Sequence, residues 1–326
     1  MRVTAVLVAY NRRELLREAL GALAAQTRPV DRLVVVDNAS DDGSGELAAE
    51  MLERWGERAR LLRLTRNTGG AGGFAAGIAA AVAEDDTDWV WVMDDDTVPH
   101  PEALAEALAA HERYRGTGQD DLAVMGSRVV WTDGSDHPMN TPKPKIRASA
   151  EERARAAEAG GMEIRTISFV SAFLRAARVR ELGLPIADYF LWNDDFEYSA
   201  RLLRGARGLS VPGSVVTHKT AARGSSDQDP GPRFYYEVRN KLWVFRHSRG
   251  LLPWEKLLYS GATVRRWLRT FRASADRAQL RDCLRRGWRD GILRGPRPTR
   301  AVLRDTGVPV DVMVEIDRLS KLGERR

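Results

Sequence analysis

Three consecutive aspartates, Asp94, Asp95 and Asp96, stand where the apolar run 89–93 ends. Side chains alternate along an extended backbone, so Asp94 and Asp96 should point one way and Asp95 the other. Two carboxylates converging at a strand end repel unless a cation or a held proton lies between them. Oxygen ligands of this kind suit Mg²⁺ or Mn²⁺, which bridge to substrate phosphates. The plainer alternative is an acidic turn that caps the next helix, which Asp96, Thr97, Pro99 or Pro101 could open. A second acidic cluster, Asn193, Asp194, Asp195 and Glu197, follows Phe190, Leu191 and Trp192. Aromatic neighbours strip water from a carboxylate and raise its pKa, which suits one of these acids to general-base work. A helix start whose dipole favours acids is the alternative. About 23 residues further on comes His218. A neutral imidazole ligates Mn²⁺ well beside two carboxylates, although a lone histidine ending a strand is more often structural.

Residues 67–74, Asn-Thr-Gly-Gly-Ala-Gly-Gly-Phe, precede a helical pattern. Glycines let a backbone approach a ligand, and a helix start offers N–H groups to an anion. Gly70, Gly72 and Ala75, with an acid ending the next strand, also satisfy a dinucleotide-binding fingerprint. An NAD(P)-dependent oxidoreductase is therefore a rival reading, and a catalytically silent nucleotide-binding protein another. The oxidoreductase needs one acid at that strand end, not three. It leaves residues 37–44 and the second acidic cluster without a task, and it places the fingerprint on the third strand–helix unit rather than the first.

Such residues need a scaffold that brings strand ends together. Apolar runs at 3–9, 32–36, 60–64 and 89–93 alternate with helical patterns at 13–26, 45–55 and 73–84. That alternation implies an α/β, Rossmann-like, mostly parallel sheet with helices on both faces. In open sheets of this type ligands bind beyond the carboxyl ends of the strands. Those ends carry Tyr10, Asn11 and Arg12, then Asp37 to Ser40, then Asn67 to Gly70, then the three aspartates: one site. Residues 122–131 read as a further strand pair, 132–145 as a surface loop and 148–159 as a charged helix. The helical pattern 198–203 follows the second acidic cluster. Residues 220–233 lack apolar periodicity, which predicts a mobile segment able to close over a ligand. From Phe234 onward the chain reads as helical. The expected division is 1–232, an α/β catalytic domain, and 233–326, a helical basic region.

The 326 residues, 43% hydrophobic with mean hydropathy −0.38, describe a globular chain with a large core. The single cysteine, Cys283, excludes an intrachain disulfide and a thiolate-rich zinc site. No run approaches the roughly 18 apolar residues of a membrane span, and residues 1–10 do not make a signal peptide, so a cytoplasmic location is expected. Residues 233–326 hold 23 Lys and Arg against 10 Asp and Glu, leaving 28 against 35 in the rest. Within that basic tail, and following Pro253, the residues Trp254, Leu257, Leu258, Val264, Trp267, Leu268 and Phe271 recur near helical spacing beside Arg265, Arg266, Arg269 and Arg272. A basic amphipathic helix of this kind fits an anionic membrane surface, and equally a helix packed on the body with a solvated arginine face. No zinc-finger, basic-zipper or RNA-recognition signature is present, so nucleic acid is not expected. Arg239, after Tyr235 and Tyr236, could meet a phosphate or a buried acid.

Taken together, these motifs resemble family 2 glycosyltransferases of the GT-A fold over about residues 1–245. The carriers are Ala9-Tyr10-Asn11, Val36 to Ser40, Arg66 to Phe74, Asp94 to Asp96, Asn193 to Glu197, His218 and Tyr235 to Asn240, in that order. The resemblance is greatest to bacterial cell-wall galactofuranosyltransferases and rhamnosyltransferases. It implies that Tyr10, Asn11 and Asp37 hold the nucleoside, and that Asn67, Gly69 and Gly70 lie along the ribose and diphosphate. Asp94 and Asp95 complete the donor site. Asp94, Asp96 and His218 would bind Mn²⁺ or Mg²⁺, and Asp195, with Asp194 as the alternative in register, would be the base. The implied reaction is inverting transfer from a nucleoside-diphosphate sugar, UDP-galactofuranose ahead of dTDP-rhamnose, to a glycan or polyprenyl-diphosphate-linked acceptor. A peripheral place on the inner face of the cell membrane, and an oligomer, are compatible with it.

Overall fold

A computed structural model describes residues 1–83, 86–220 and 229–325. The strands are β1 (Val3–Ala9), β2 (Arg32–Asp37), β3 (Ala59–Arg63), β4 (Trp89–Asp94), β5 (Thr97–Pro99), β6 (Leu122–Val130), β7 (Lys143–Pro144), β8 (Met162–Thr166), β9 (Ala172–Arg175) and β10 (Arg207–His218). They form one sheet in the order β3-β2-β1-β4-β9-β6-β10-β8-β7, with β5 paired to β10. The pairs among β3, β2, β1 and β4 are parallel, as is β6 with β10, while β9, β8, β7 and β5 run antiparallel to their neighbours.

The first strands read as unbroken apolar runs because both sheet faces are covered. On β1, Val6 and Val8 enter one core and Ala5, Leu7 and Ala9 the other, which is the two-residue alternation of a strand. Helices α1 (Arg13–Ala24), α2 (Ser44–Leu52) and, past β5, Ala103–Gly116 cover the second face, while α3 (Gly69–Val82) covers the first. Numbered onward, Ala103–Gly116 is α4, Ala150–Glu158 α5, Ala176–Leu182 α6, Asp194–Leu202 α7, Phe234–His247 α8, Pro253–Ala273 α9, Arg277–Leu293 α10, Thr299–Leu303 α11 and Val310–Arg325 α12.

Several boundaries differ from the sequence expectation, each for a local reason. Residues 69–73 are not a loop before α3 but its first turns. A Cβ at Gly73 would lie 2.5 Å from the Val8 side chain, so that glycine lets the helix sit close on β1. Leu122–Val130 form one strand, not two, because β10 pairs with β6 along its length, β9 pairs with Val124–Gly126 on the other side, and only an isolated bridge joins Val130 to Asp136. Helix α7 starts at Asp194, so the second acidic cluster is its first turn rather than a preceding loop. Of the segment expected to be mobile, 221–228 lie outside the described residues, and Gly231–Arg233 form a short helical turn.

The C-terminal helices do not stand apart from the sheet. Val302, Leu303, Val312, Ile316 and Leu319 share a core with Val6 and Val34. Arg165 of β8 donates to both oxygens of Glu255 at 2.7 and 2.9 Å, a buried pair that fixes the start of α9. No helix among the described residues is long and apolar enough to cross a membrane.

Candidate active site

The carboxyl ends of β1, β2, β3 and β4 lie side by side along one sheet edge, as the strand order requires. The tip of β10 joins them from the other half of the sheet, held over β5 by its pairing of His218 with Thr97. That return is what brings residue 218 to residues 94 and 96. One ligand atom from each of Asp94, Asp96 and His218 lies within 4.8 Å of the others. His218 Nε2 is 3.1 Å from Asp96 Oδ1, and its Nδ1 is 3.0 Å from the amide oxygen of Asn140.

Asn140 Oδ1 only accepts, so Nδ1 carries the ring proton and Nε2 turns a lone pair to Asp96. Asp96 Oδ1, buried, then has no hydrogen-bond donor. Two acceptors facing each other need a second imidazole proton or a cation between them. With Asp94 as a third donor, the set of two carboxylates and one neutral imidazole fits Mn²⁺ or Mg²⁺, and Asn140 fixes the ring as an outer partner should.

Electrostatics sharpen the picture. Burial, and then the charges of Asp96 and Asp95, push Asp94 well above the usual carboxylate range. Burial also opposes ionisation of Asp96, but the charge of Arg12 and, once the ring carries both protons, the bond and charge of His218 outweigh it and hold Asp96 low. Arg12, singled out in the sequence only as a strand-end residue, makes an ion pair with Asp96 and lies 3.4 Å from Asp95. Asp95 turns the other way and accepts the Tyr10 N–H at 2.8 Å, locking the end of β1 to that of β4. Its burial raises its pKa to about 7.

The neighbouring strand ends form a connected rim. Asn11, at a positive φ of 51°, donates its N–H to Ser40 and accepts the Asp41 N–H. Asp37 accepts the Ser40 N–H at 3.0 Å. Asn67 accepts from the Asn38 amide at 3.2 Å and from the Gly69 N–H at 2.7 Å. Tyr10 is exposed beside them. Asn38, whose oxygen accepts from both the N–H and the hydroxyl of Thr68, ties β2 to the start of α3.

Gly70, Asp94, Asp194, Asp195 and His218 line one cleft of 720 Å³. Asp194 and Asp195 reach it because the chain before α7 takes left-handed backbone at Phe190, Trp192 and Asn193, with φ of 64°, 64° and 67°. Such conformations persist only where the surroundings impose them. Here Asn240 donates to the carbonyls of Tyr189, Leu191 and Trp192 at 2.8 to 2.9 Å, and Arg239 to those of Asp188 and Tyr189. From the other side, Gly69, at φ of +71°, lets the Phe190 carbonyl approach where any Cβ would overlap it. Arg239 thus meets carbonyl oxygens and the Trp243 ring, 4.2 Å away, and no ion pair to a buried acid is found among the described residues.

Burial and the charge of Asp195 raise Asp194 to about 8. Burial raises Asp195 too, against the Phe196 N–H, which it accepts at 2.6 Å, the charge of Lys241 and the Ser168 hydroxyl. Ser168 also accepts from the Asn140 amide at 3.1 Å. A hydrogen-bonded line therefore runs from His218 through Asn140 and Ser168 to Asp195. Neither Asn140 nor Ser168 carried a sequence signal, since both sit in loops without a motif. Lys241, also on the cleft wall, was missed because it lies inside an ordinary helical pattern.

The pattern described as "Glycosyl transferase family 2" matches residues 4–176. The chain is 35% identical over 281 residues to "Galactofuranosyltransferase GlfT1" of Mycobacterium tuberculosis, covering 79% of this chain and 87% of that protein. Among solved structures, S. aureus TarS 1-349 in complex with UDP superposes with a TM-score of 0.62 at 15% identity, over 99% of this chain and 90% of that one. Mannosyltransferase PcManGT from Pyrobaculum calidifontis, in complex with GDP-Man and Mn²⁺, gives 0.53 at 17% identity, over 99% and 87%.

Proposed function

The chain belongs to glycosyl transferase family 2, and from that premise we propose that it is a metal-dependent, inverting enzyme that takes its sugar from a nucleoside diphosphate. The observation that carries the proposal is the convergence of Asp94, Asp96 and His218 at one end of a cleft that also holds Asp194 and Asp195. Asp94, Asp96 and His218 would hold Mn²⁺ or Mg²⁺, whose charge offsets that developing on the departing diphosphate. Tyr10, Asn11, Asp37 and Asn67 form the rim that receives the nucleoside and ribose, with Gly69 and Gly70 beside the diphosphate and Asp95 holding that rim together. Asp195 accepts the proton of the acceptor hydroxyl while that oxygen bonds to the anomeric carbon. The bond to the diphosphate breaks on the opposite face, its electron pair leaves with the nucleotide, and the configuration inverts. Asp194 is the base if the register is one residue earlier.

The donor favoured is UDP-galactofuranose, because the relative named above is a galactofuranosyltransferase and the TarS structure holds UDP. The acceptor proposed is a hydroxyl of a glycan or of a lipid-linked intermediate. On the outer face of α9, Leu257, Val264 and Leu268 are each more than half exposed beside Arg265, which supports peripheral contact with an anionic membrane.

Thermal unfolding in the presence of UDP, dTDP, GDP and NAD, each with and without Mn²⁺, tests the reading. A ligand at 100 times its Kd adds about 2.7 kcal/mol of stability. Metal-dependent stabilisation by UDP is expected. A preference for dTDP would move the donor to dTDP-rhamnose, and metal-independent stabilisation by NAD alone would overturn the transferase.

A further inference from the structure

We propose that the wall of the cleft formed by Lys241, Lys143 and Arg233 is a subsite for a phosphate or diphosphate group carried by the acceptor. The proposal rests on the transferase reading for the word acceptor, and on the structure for the charge.

Lys241, on α8, lines the cleft yet is 8% exposed. Its ammonium lies 4.2 Å from the centroid of the Phe196 ring and makes no ion pair or hydrogen bond among the described residues. Glu237, one turn earlier, is already engaged: it pairs with Arg266 and accepts from Trp267 Nε1 at 3.2 Å and from the Asn193 amide at 3.1 Å. Glu237, although it makes no hydrogen bond to Lys241, attracts it by charge, as Asp195 does more weakly, while Arg266 and Lys143 repel it. Burial lowers the Lys241 pKa to about 8, which is the signature of an ammonium short of partners.

A buried, unpaired ammonium is costly to keep, and a pre-formed anion receptor is one place where the missing partner arrives with the ligand. Lys143 and Arg233 line the same cleft, exposed, and neither makes an ion pair among the described residues. A single carboxylate would answer one of these three cations, whereas a phosphate or diphosphate answers two or three. Asp94, Asp194 and Asp195 line the same cavity and repel such a group, which leaves the cationic wall as its resting place. Because Lys241 also faces Asp195, an acceptor anchored there would have its hydroxyl within the domain of the proposed base.

The group could belong to a lipid-linked diphosphate or to a soluble sugar phosphate. Titration calorimetry of the full chain with inorganic pyrophosphate, in EDTA, reads the subsite without a metal. Binding should weaken at least tenfold in Lys241→Met, survive in Lys241→Arg, and be unchanged in Asp96→Asn. The exposed Lys143→Gln, which removes no buried contact, should weaken it about threefold and keeps the test alive if Lys241→Met does not fold. Equal affinity in wild type, Lys241→Met and Lys143→Gln would overturn the subsite, as would loss of binding in Asp96→Asn. Tighter, Lys241-dependent binding of farnesyl diphosphate would assign a lipid-linked source; of glucose 1-phosphate, a soluble one. Dependence of neither on Lys241 overturns the proposal. UDP binding with Mn²⁺ on the same sample separates the two readings, because it can succeed while pyrophosphate ignores Lys241, or fail while pyrophosphate does not.

Discussion

At the strand ends the acids outnumber their partners, whereas beneath α8 and α9 most polar groups are answered by the protein itself. Asp94 is pushed up by Asp95 and Asp96, and Asp96 Oδ1 faces a lone pair. On the helical side Asn240 meets three carbonyls, Arg239 two, and Glu237 an arginine, an indole and an amide. Both regions are equally polar as sequence. What separates a site from its scaffolding is the balance of donors and acceptors: groups left unanswered wait for a ligand, and groups fully answered hold a shape. Lys241 is the exception on the helical side.

The largest break in that contrast should come from the unanswered end. Asp96→Asn should lower transfer by at least about 10³-fold and abolish the Mn²⁺ dependence of UDP stabilisation, since it removes charge stabilisation from the leaving group. Full activity in that variant, measured with saturating Mn²⁺, would make the acidic triplet a surface turn after all. Asp195→Asn should cost about 10²-fold in kcat with the affinity for UDP unchanged, as loss of a general base does. If kcat holds there and falls in Asp194→Asn, the base is one residue earlier.

The answered end should respond in stability instead. Asn240→Ala leaves three carbonyls of a left-handed loop without their donor, and at about 1 kcal/mol per bond should lower stability by roughly 2–3 kcal/mol. Metal and UDP affinity, read at a temperature where the variant is folded, should stay within about threefold of wild type. A variant of unchanged melting temperature but lost UDP binding would place Asn240 at the ligand and dissolve the contrast.

These two kinds of residue differ in how far the sequence exposes them. The sheet and its carboxyl edge were legible because buried parallel strands write themselves as apolar runs, and because the acidic triplet begins where such a run stops; that Asp95 and Asp96 form the turn between β4 and β5, rather than continuing the strand, was not. That the glycines of 69–73 are helical was not legible, since a helix start and a loop share the same composition until Val8 and Phe190 are seen against them. Arg239 and Asn240 were legible as a motif but not as supports, because their partners lie about 50 residues away in a backbone whose φ values no residue type announces. Asn140, Ser168 and Lys241 were illegible for a simpler reason: each becomes chemical only through what three-dimensional neighbours lack.

Glu163 tests whether an unanswered acid always marks a site. On β8, 3% exposed and not among the residues lining the cleft, it has no hydrogen-bond partner on either carboxylate oxygen, and Lys145 stays 3.9 Å away. Burial, against Lys145 and Arg207, raises its pKa from 4.5 to about 7. The native state therefore holds a proton that the unfolded chain releases near 4.5. The stability this lends is fully present below that value, declines as pH rises, and is gone above about 7. Glu163→Gln mimics the protonated form at every pH, so the variant should match wild type near pH 4.5 and exceed it at pH 8. A difference of about 1 kcal/mol, or about 2 °C in Tm for a chain of this size, is expected once solvent screening is allowed for. UDP binding and transfer should not move, because the proton, rather than a ligand, supplies what Glu163 lacks. A melting-temperature difference that stays constant from pH 5 to 8 would mean that Glu163 is ionised and partnered in the fold. An effect on transfer would mean that the carboxylate reaches the chemistry from outside the cleft.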